Sequence, residues 1–261
     1  ERTLLRSLAS RAAARGNSSD GYWDELFCDA TAACDLVYGS ADADKVLAEF
    51  CGVLLRSGKF LLAERFLDGR DGQRLSEDAC GKVCVSAARE LFFSSSSFGN
   101  RECAQAKQCL LAAPRPSEQE LKRFKAIEAL ASLSPAPLSP RDFKHVRDAR
   151  QALTVLAEAW PGLHQGGIGV VAAARDLGMP ETEAELAVAE CALEAGDLAY
   201  CLDKAAAFVD ENDATAANFV FGLVRALDEG EGAGIEGFEV DPSFVAELCA
   251  FALCHCAEGR M

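Results

Sequence analysis

Apolar residues recur along this chain at three- and four-residue steps, the spacing that lines them up on one face of an α-helix. Val46, Leu47, Phe50, Val53 and Leu54 form one such stripe, and Phe60, Ala63, Phe66 and Leu67 form the next on a new axis. Between them "RSGK" (56–59) interrupts the pattern. Gly58 stands where a helix needs a left-handed C′ residue, a conformation that disfavours any side chain with a Cβ. The stretch therefore reads as an αα-hairpin with a minimal turn. Further stripes occur at Leu121, Phe124, Ile127 and Leu130, at Leu153, Leu156, Ala159 and Trp160, and at Leu198, Cys201, Ala205 and Phe208. Period-two alternation is nearly absent. The pattern predicts an all-α fold of about a dozen helices with short connections.

Start and stop signals agree with the stripes. Ser117 and Glu120 have the spacing of a capping box. In "LGMPETEAELA", Gly178 fits a C′ position and Pro180 the first turn of the next helix. The hairpin device also returns, because "LEAGDLAYC" (193–201) superposes on "LRSGKFLLA" (55–63), with Gly196 on Gly58 and Cys201 on Ala63. Two matching turns favour an α-solenoid of stacked helical hairpins over a closed bundle. Two stretches break the pattern. "SLSPAPLSPRDF" (132–143) is rich in Ser and Pro and is expected to be an extended connector. "LDEGEGAGIEGFEVD" (227–241) is acidic and Gly-rich, and is expected to be a flexible surface loop. Residues 1–261 read as one solenoid segment, and the chain, starting at Glu1 with no signal-peptide pattern, reads as part of a longer polypeptide.

Charge narrows the function classes. Lys and Arg total 26 against 41 Asp and Glu, a formal charge of −15. A direct grip on phosphate backbones or anionic lipid needs the opposite sign. No apolar run approaches the roughly 18–20 residues of a membrane span. Twelve cysteines raise a metal question, but no C-x-x-C pair exists. In the cluster Cys249, Cys254, His255 and Cys256, residues 254 and 256 point about 200° apart on a helix. Cys51, Cys84, Cys109, Cys191 and Cys201 sit within helical stripes, so thiols acting as small buried hydrophobes are the better reading, and no metal or cofactor is expected.

Catalytic patterns are scarce. There is no G-x-S-x-G elbow and no Walker loop. "HQGGIGVVAAA" (164–174) imitates a dinucleotide turn through Gly167 and Gly169, but a helix precedes it where that turn needs a strand, so the glycines read as a helix break. In "YWDELF" (22–27) the neighbouring carboxylates Asp24 and Glu25 point in different directions on a helix, and Tyr22, Trp23 and Phe27 read as packing residues. "SSSS" (94–97) reads as a frayed helix end. His145 lies among Arg141, Lys144, Arg147 and Arg150 in "RDFKHVRDAR". The bland reading of these four cations is a solvated helix face. The functional reading is a docking patch for an acidic partner segment, standing out because the rest of the chain is acidic.

Several stretches taken in order resemble one family. "YWDELF" (22–27), "LLRSGKFLLAERFL" (54–67), "SAARELFFSSSS" (86–97), "AKQCLL" (106–111), "AARDLGMPETEAELAVAECALEAGDLAYCLD" (173–203) and "FALCHCAEG" (251–259) together look like the large neuroblastoma-amplified-sequence proteins, in a plant or algal form. The similarity lies over the helical region related to a yeast secretory tether subunit. No single motif is specific; the ordered set is. The acidic loop at 227–241 reads as a lineage insertion. The resemblance implies a cytosolic protein, peripheral at the endoplasmic reticulum membrane and without a transmembrane segment of its own. It also implies a multisubunit complex that captures Golgi-derived retrograde vesicles and engages SNARE proteins, so other tether subunits and SNAREs are the expected partners.

The expected function is thus a non-catalytic scaffold subunit of a vesicle tethering complex. The alternative is a helical-repeat scaffold of another machine, an mRNA-decay regulator or a chaperone or proteolysis adaptor. An RNA-binding repeat is disfavoured by charge, since single-strand grooves need cationic lining. A helical enzyme is disfavoured by the missing nucleophile–base arrangement.

Overall fold

The computed structural model describes residues 7, 20–38, 43–69, 75–228 and 240–256. Among them lie twelve α-helices, three 3-10 turns and no strand. The helices are α1 (Asp20–Tyr38), α2 (Ala43–Arg56), α3 (Phe60–Leu67), α4 (Glu77–Ser94), α5 (Arg101–Leu111) and α6 (Glu118–Leu133). After a 3-10 turn at Pro140–Phe143 come α7 (Ala149–Ala159), a second turn at Leu163–Gly166, α8 (Gly167–Asp176), α9 (Glu181–Glu194) and α10 (Leu198–Asp210). A third turn at Ala214–Ala216 leads into α11 (Ala217–Asp228), and α12 (Pro242–Cys256) completes the order. The all-α helical-repeat expectation holds. By contact the chain falls into two compact units. The first comprises the described residues up to Glu128 with Ser139–Lys144, and the second comprises Ala129–Leu138 with the described residues from His145 on.

The first unit has an aromatic core. Trp23 and Phe27 on α1, Phe50 on α2 and Phe66 on α3 meet edge-on or tilted, with Phe27 and Phe50 centroids 5.2 Å apart. These are the tilted contacts that ring quadrupoles favour. Phe92 on α4 lies flat against Phe124 on α6 at 4.1 Å. Helix α4 is the hub of this unit, packing on α2, on α5 and on the 3-10 turn at Pro140–Phe143. The second unit is built differently. Its α9 touches α7, α8, α10 and α11, and Ala184, Ala187, Val188, Ala189 and Ala192 are all buried. Small side chains let several helices approach one axis, which explains why α9 shows a broad apolar surface rather than one stripe.

Four helix ends share one device. At α2, Gly58 N–H donates to Leu55 and Lys59 N–H to Leu54. At α9, Gly196 N–H donates to Leu193 and Asp197 N–H to Ala192. At α8, Gly178 and Met179 repeat the pair onto Arg175 and Ala174, and at α10 Asn212 and Asp213 repeat it onto Val209 and Phe208. This double bond closes the last turn of a helix on its own carbonyls. All four C′ residues are left-handed, with φ of 73° at Gly58, 94° at Gly178, 77° at Gly196 and 52° at Asn212. The two turns superposed in sequence are therefore the same structure. They differ in how the next helix begins, since Asp197 caps α10 by accepting from Tyr200 N–H, whereas Lys59 has no side-chain acceptor to offer α3.

Four expectations need correction. The segment 132–143 is not extended throughout. Ser132 and Leu133 finish α6, and Pro140 and Phe143 are buried in a 3-10 turn. The serines at 94–97 are not frayed: Ser95 is buried and its hydroxyl donates to Ser97 O at 2.7 Å. The capping box at α6 is half formed. Glu120 N–H donates to Ser117 Oγ at 3.3 Å, but the Glu120 carboxylate turns away to Arg89. Of the expected loop at 227–241, Leu227 and Asp228 are helical, and residues 229–239 lie outside the described residues.

Candidate interaction surface

The cationic segment 141–150 is assembled from short-range capping. Ser139 N–H and its hydroxyl both donate to Asp142 Oδ2, at 2.7 and 2.8 Å, which winds Pro140–Phe143 into its single turn. Asp148 then caps α7 by accepting from Gln151 N–H at 2.9 Å. The four cations consequently do not share one helix face. Arg141 is in the 3-10 turn, Lys144 ends it, Arg147 precedes the Asp148 cap, and only Arg150 is helical. The expected helix starts late because Asp148 competes for the backbone and resets the start.

Their partners differ too. Arg141 Nε donates to the Ser94 carbonyl at 2.6 Å, within the first unit. Arg150 lies 3.9 Å from Glu183 and 3.7 Å from Glu190 on α9, within the second. Lys144 and Arg147 are exposed and, among the described residues, have no ion pair. No local signal reported the Arg150 pairing, because Glu183 and Glu190 are more than thirty positions away in sequence. His145 is exposed, and Val146 beside it is buried.

Charge is divided as sharply as structure. Residues 1–144 carry 20 basic and 20 acidic side chains; residues 145–261 carry 6 basic and 21 acidic. The whole formal charge of −15 thus resides in the stretch that builds the second unit. A field of that sign favours cationic partners and repels anionic ones.

Two buried or grooved polar sites lie elsewhere. On the first unit an open groove of about 870 Å³ is lined by Glu77, Asp78, Lys82, Arg89, Arg115 and Ser117. Its charges are mutually paired: Arg115 with Glu77 at 3.0 Å, Lys82 with Asp78, and Arg89 with Glu120 by two hydrogen bonds. On the second unit the buried His164 places Nε2 2.9 Å from Asp197 Oδ2, off the direction of a hydrogen bond. Asp197 is the α10 cap, and Tyr200 beside it has its hydroxyl pushed further from ionisation by burial and by Glu185. The Asp197 carboxylate thus orients a helix start beside the buried imidazole. Burial pushes Cys84, Cys109 and Cys201 up to about 12 and Cys191 to about 11, and it raises Cys51 as well. Reactive cysteines are shifted in the opposite direction.

No helix of the described residues is long and apolar enough to cross a membrane. Compared with known proteins, the chain is 26% identical over 262 residues to a protein of Arabidopsis thaliana named MAG2-interacting protein 2. The match covers 97% of this chain and 11% of that relative, so the chain spans a small part of the relative's length. No family model and no solved structure matches the chain.

Proposed function

We propose that this chain is a non-catalytic docking segment of a scaffold in a vesicle tethering complex serving Golgi-to-endoplasmic-reticulum retrograde transport. Other tether subunits and SNARE proteins are its partners, and membrane association comes through them. The observation that carries the reading is the relative's match along 97% of the chain, in line with the ordered motifs that resemble the neuroblastoma-amplified-sequence proteins. That relative is named for an interaction with another protein, and protein docking is the property we extend to this chain. Helical hairpins that each rest on their neighbours offer long surfaces for such work.

Within the chain, the cations at 141–150 are the proposed docking positions for an acidic partner segment. Arg141 and Arg150 are occupied by a carbonyl and by two glutamates, which leaves Lys144, and separately Arg147, accessible. The test is affinity purification with the wild-type chain and with Lys144→Glu/Arg147→Glu at matched salt. Tether subunits and SNAREs should be recovered by the wild type and depleted by the variant, with an unchanged melting temperature because exposed charges add little stability. Unchanged recovery by the variant returns the pair to a solvated surface. Recovery of chaperones or decay factors alone moves the chain to another machine.

A further inference from the structure

Helix α12, "PSFVAELCAFALCHC", has one acidic or basic residue, Glu247, besides His255 in its last turn. Its inner face sends Leu248, Phe251 and Ala252 into the core shared with α10 and α11. Its outer face carries Ala246, Ala250, Leu253 and Cys254, all exposed, at steps that keep them in one stripe. A helix apolar on two sides is the pattern of a helix covered on two sides. The neighbouring α11 extends the surface. Cys256 Sγ donates to Asn218 Oδ1 at 3.7 Å, which sets the end of α12 beside the start of α11. One turn inward along each helix come Leu253, 69% exposed, and Phe221, 53% exposed. On α12 the small Ala246 and Ala250 share their stripe with the large Leu253, an alternation of small and large side chains that suits ridge-into-groove packing by another helix.

We propose that this outer face of α11 and α12 docks a basic amphipathic helix of a partner protein. Charge selects that occupant. The stretch building this unit holds 6 basic against 21 acidic residues. Glu247, Asp228 and Asp241 are exposed on or next to the two helices, and Arg225, the cation of α11, is already engaged. A second copy would bring the same negative charge against itself, whereas a helix with Leu or Phe on one side and Lys or Arg flanking it matches both the exposed apolar stripe and the field. This site has the opposite sign to the Lys144 and Arg147 pair, and it stands whichever machine the chain serves.

The test uses the whole chain and a fluorescent 18-residue peptide of Leu and Lys at helical spacing, with the same peptide carrying Glu for Lys as its control. Binding is read by anisotropy over a salt series. The Leu/Lys peptide should bind, the Leu/Glu peptide should not, and affinity should fall with salt. Leu253→Glu and Ala250→Glu, both at exposed positions, should each weaken binding about tenfold or more, as loss of a central anchor does. Ile168→Glu on α8, at an apolar position still more exposed than Leu253, should change nothing, and melting curves verify that all three variants fold. Equal loss at Ile168, or no loss at either α12 variant, overturns the site. Equal binding of the two peptides overturns the basic occupant. Dimerisation in sedimentation that Leu253→Glu abolishes assigns the face to a second copy instead.

Discussion

Gly196 sits at φ 77° with open space where a Cβ would stand, while at Gly58 a Cβ would come 2.6 Å from Gln105 Nε2. The left-handed backbone is common to both, so Gly196→Val and Gly58→Val should each destabilise the fold by roughly 1–2 kcal/mol in urea unfolding. Asn212 holds the same geometry at φ 52°, and its short polar side chain tolerates that region. Gly196→Asn should therefore cost clearly less than Gly196→Val, and equal costs would mean that backbone strain is not the cause. Thiols give a second residue-level prediction. Cys28 and Cys254 are exposed, while Cys51, Cys84, Cys109 and Cys201 are buried with their ionisation suppressed. Maleimide labelling near pH 8 with peptide mapping should modify the first pair within the native state and the second group only on unfolding. Early labelling of Cys84 or Cys109 would contradict the packing of α2, α4 and α5.

At the scale of elements, α4 and α6 are tied by Arg89 and Glu120. Glu120 is 7% exposed, accepts two hydrogen bonds from Arg89, and has Arg123 at 3.9 Å. A carboxylate so placed is costly to leave without its guanidinium, so Arg89→Ala should destabilise by about 1–3 kcal/mol. Arg89→Ala/Glu120→Gln should recover part of that loss, because the stranded charge is gone. A double-mutant cycle by thermal unfolding measures the coupling, and strict additivity would show the pair to be energetically independent. The sequence placed Glu120 correctly near a helix start but assigned its carboxylate to the local cap. Arg89 lies 31 positions away, and no local pattern announces it.

At the scale of the whole molecule, the second unit carries the entire charge imbalance. Self-repulsion weakens a compact state and salt screens it. Raising salt from low to physiological should therefore slow amide exchange in α8–α12 and leave α2–α5 nearly unchanged. Equal slowing in both regions would assign the effect to general solvent changes. The hairpin turns, most helices and the overall acidity were legible in sequence. The serine turn, the 3-10 turn at Pro140 and the separate settings of Arg141, Lys144, Arg147 and Arg150 were not, since each arises from competing side-chain caps a few residues apart.

The sequence by itself determined where helices form and how they end. A 3.6-residue stripe and a left-handed glycine are satisfied within one turn of backbone, and Gly58, Gly178 and Gly196 needed nothing distant to take their conformation. Only the tertiary structure decided which face of a helix is covered and which charge is already spent. Arg150 meets Glu183 and Glu190 because α7 packs on α9, and Ala250 and Leu253 remain exposed because α10 and α11 cover only the opposite side of α12. Periodicity states that a residue shares a face with others; long-range packing chooses that face's neighbour, because burial energy depends on what meets the surface and not on its spacing alone.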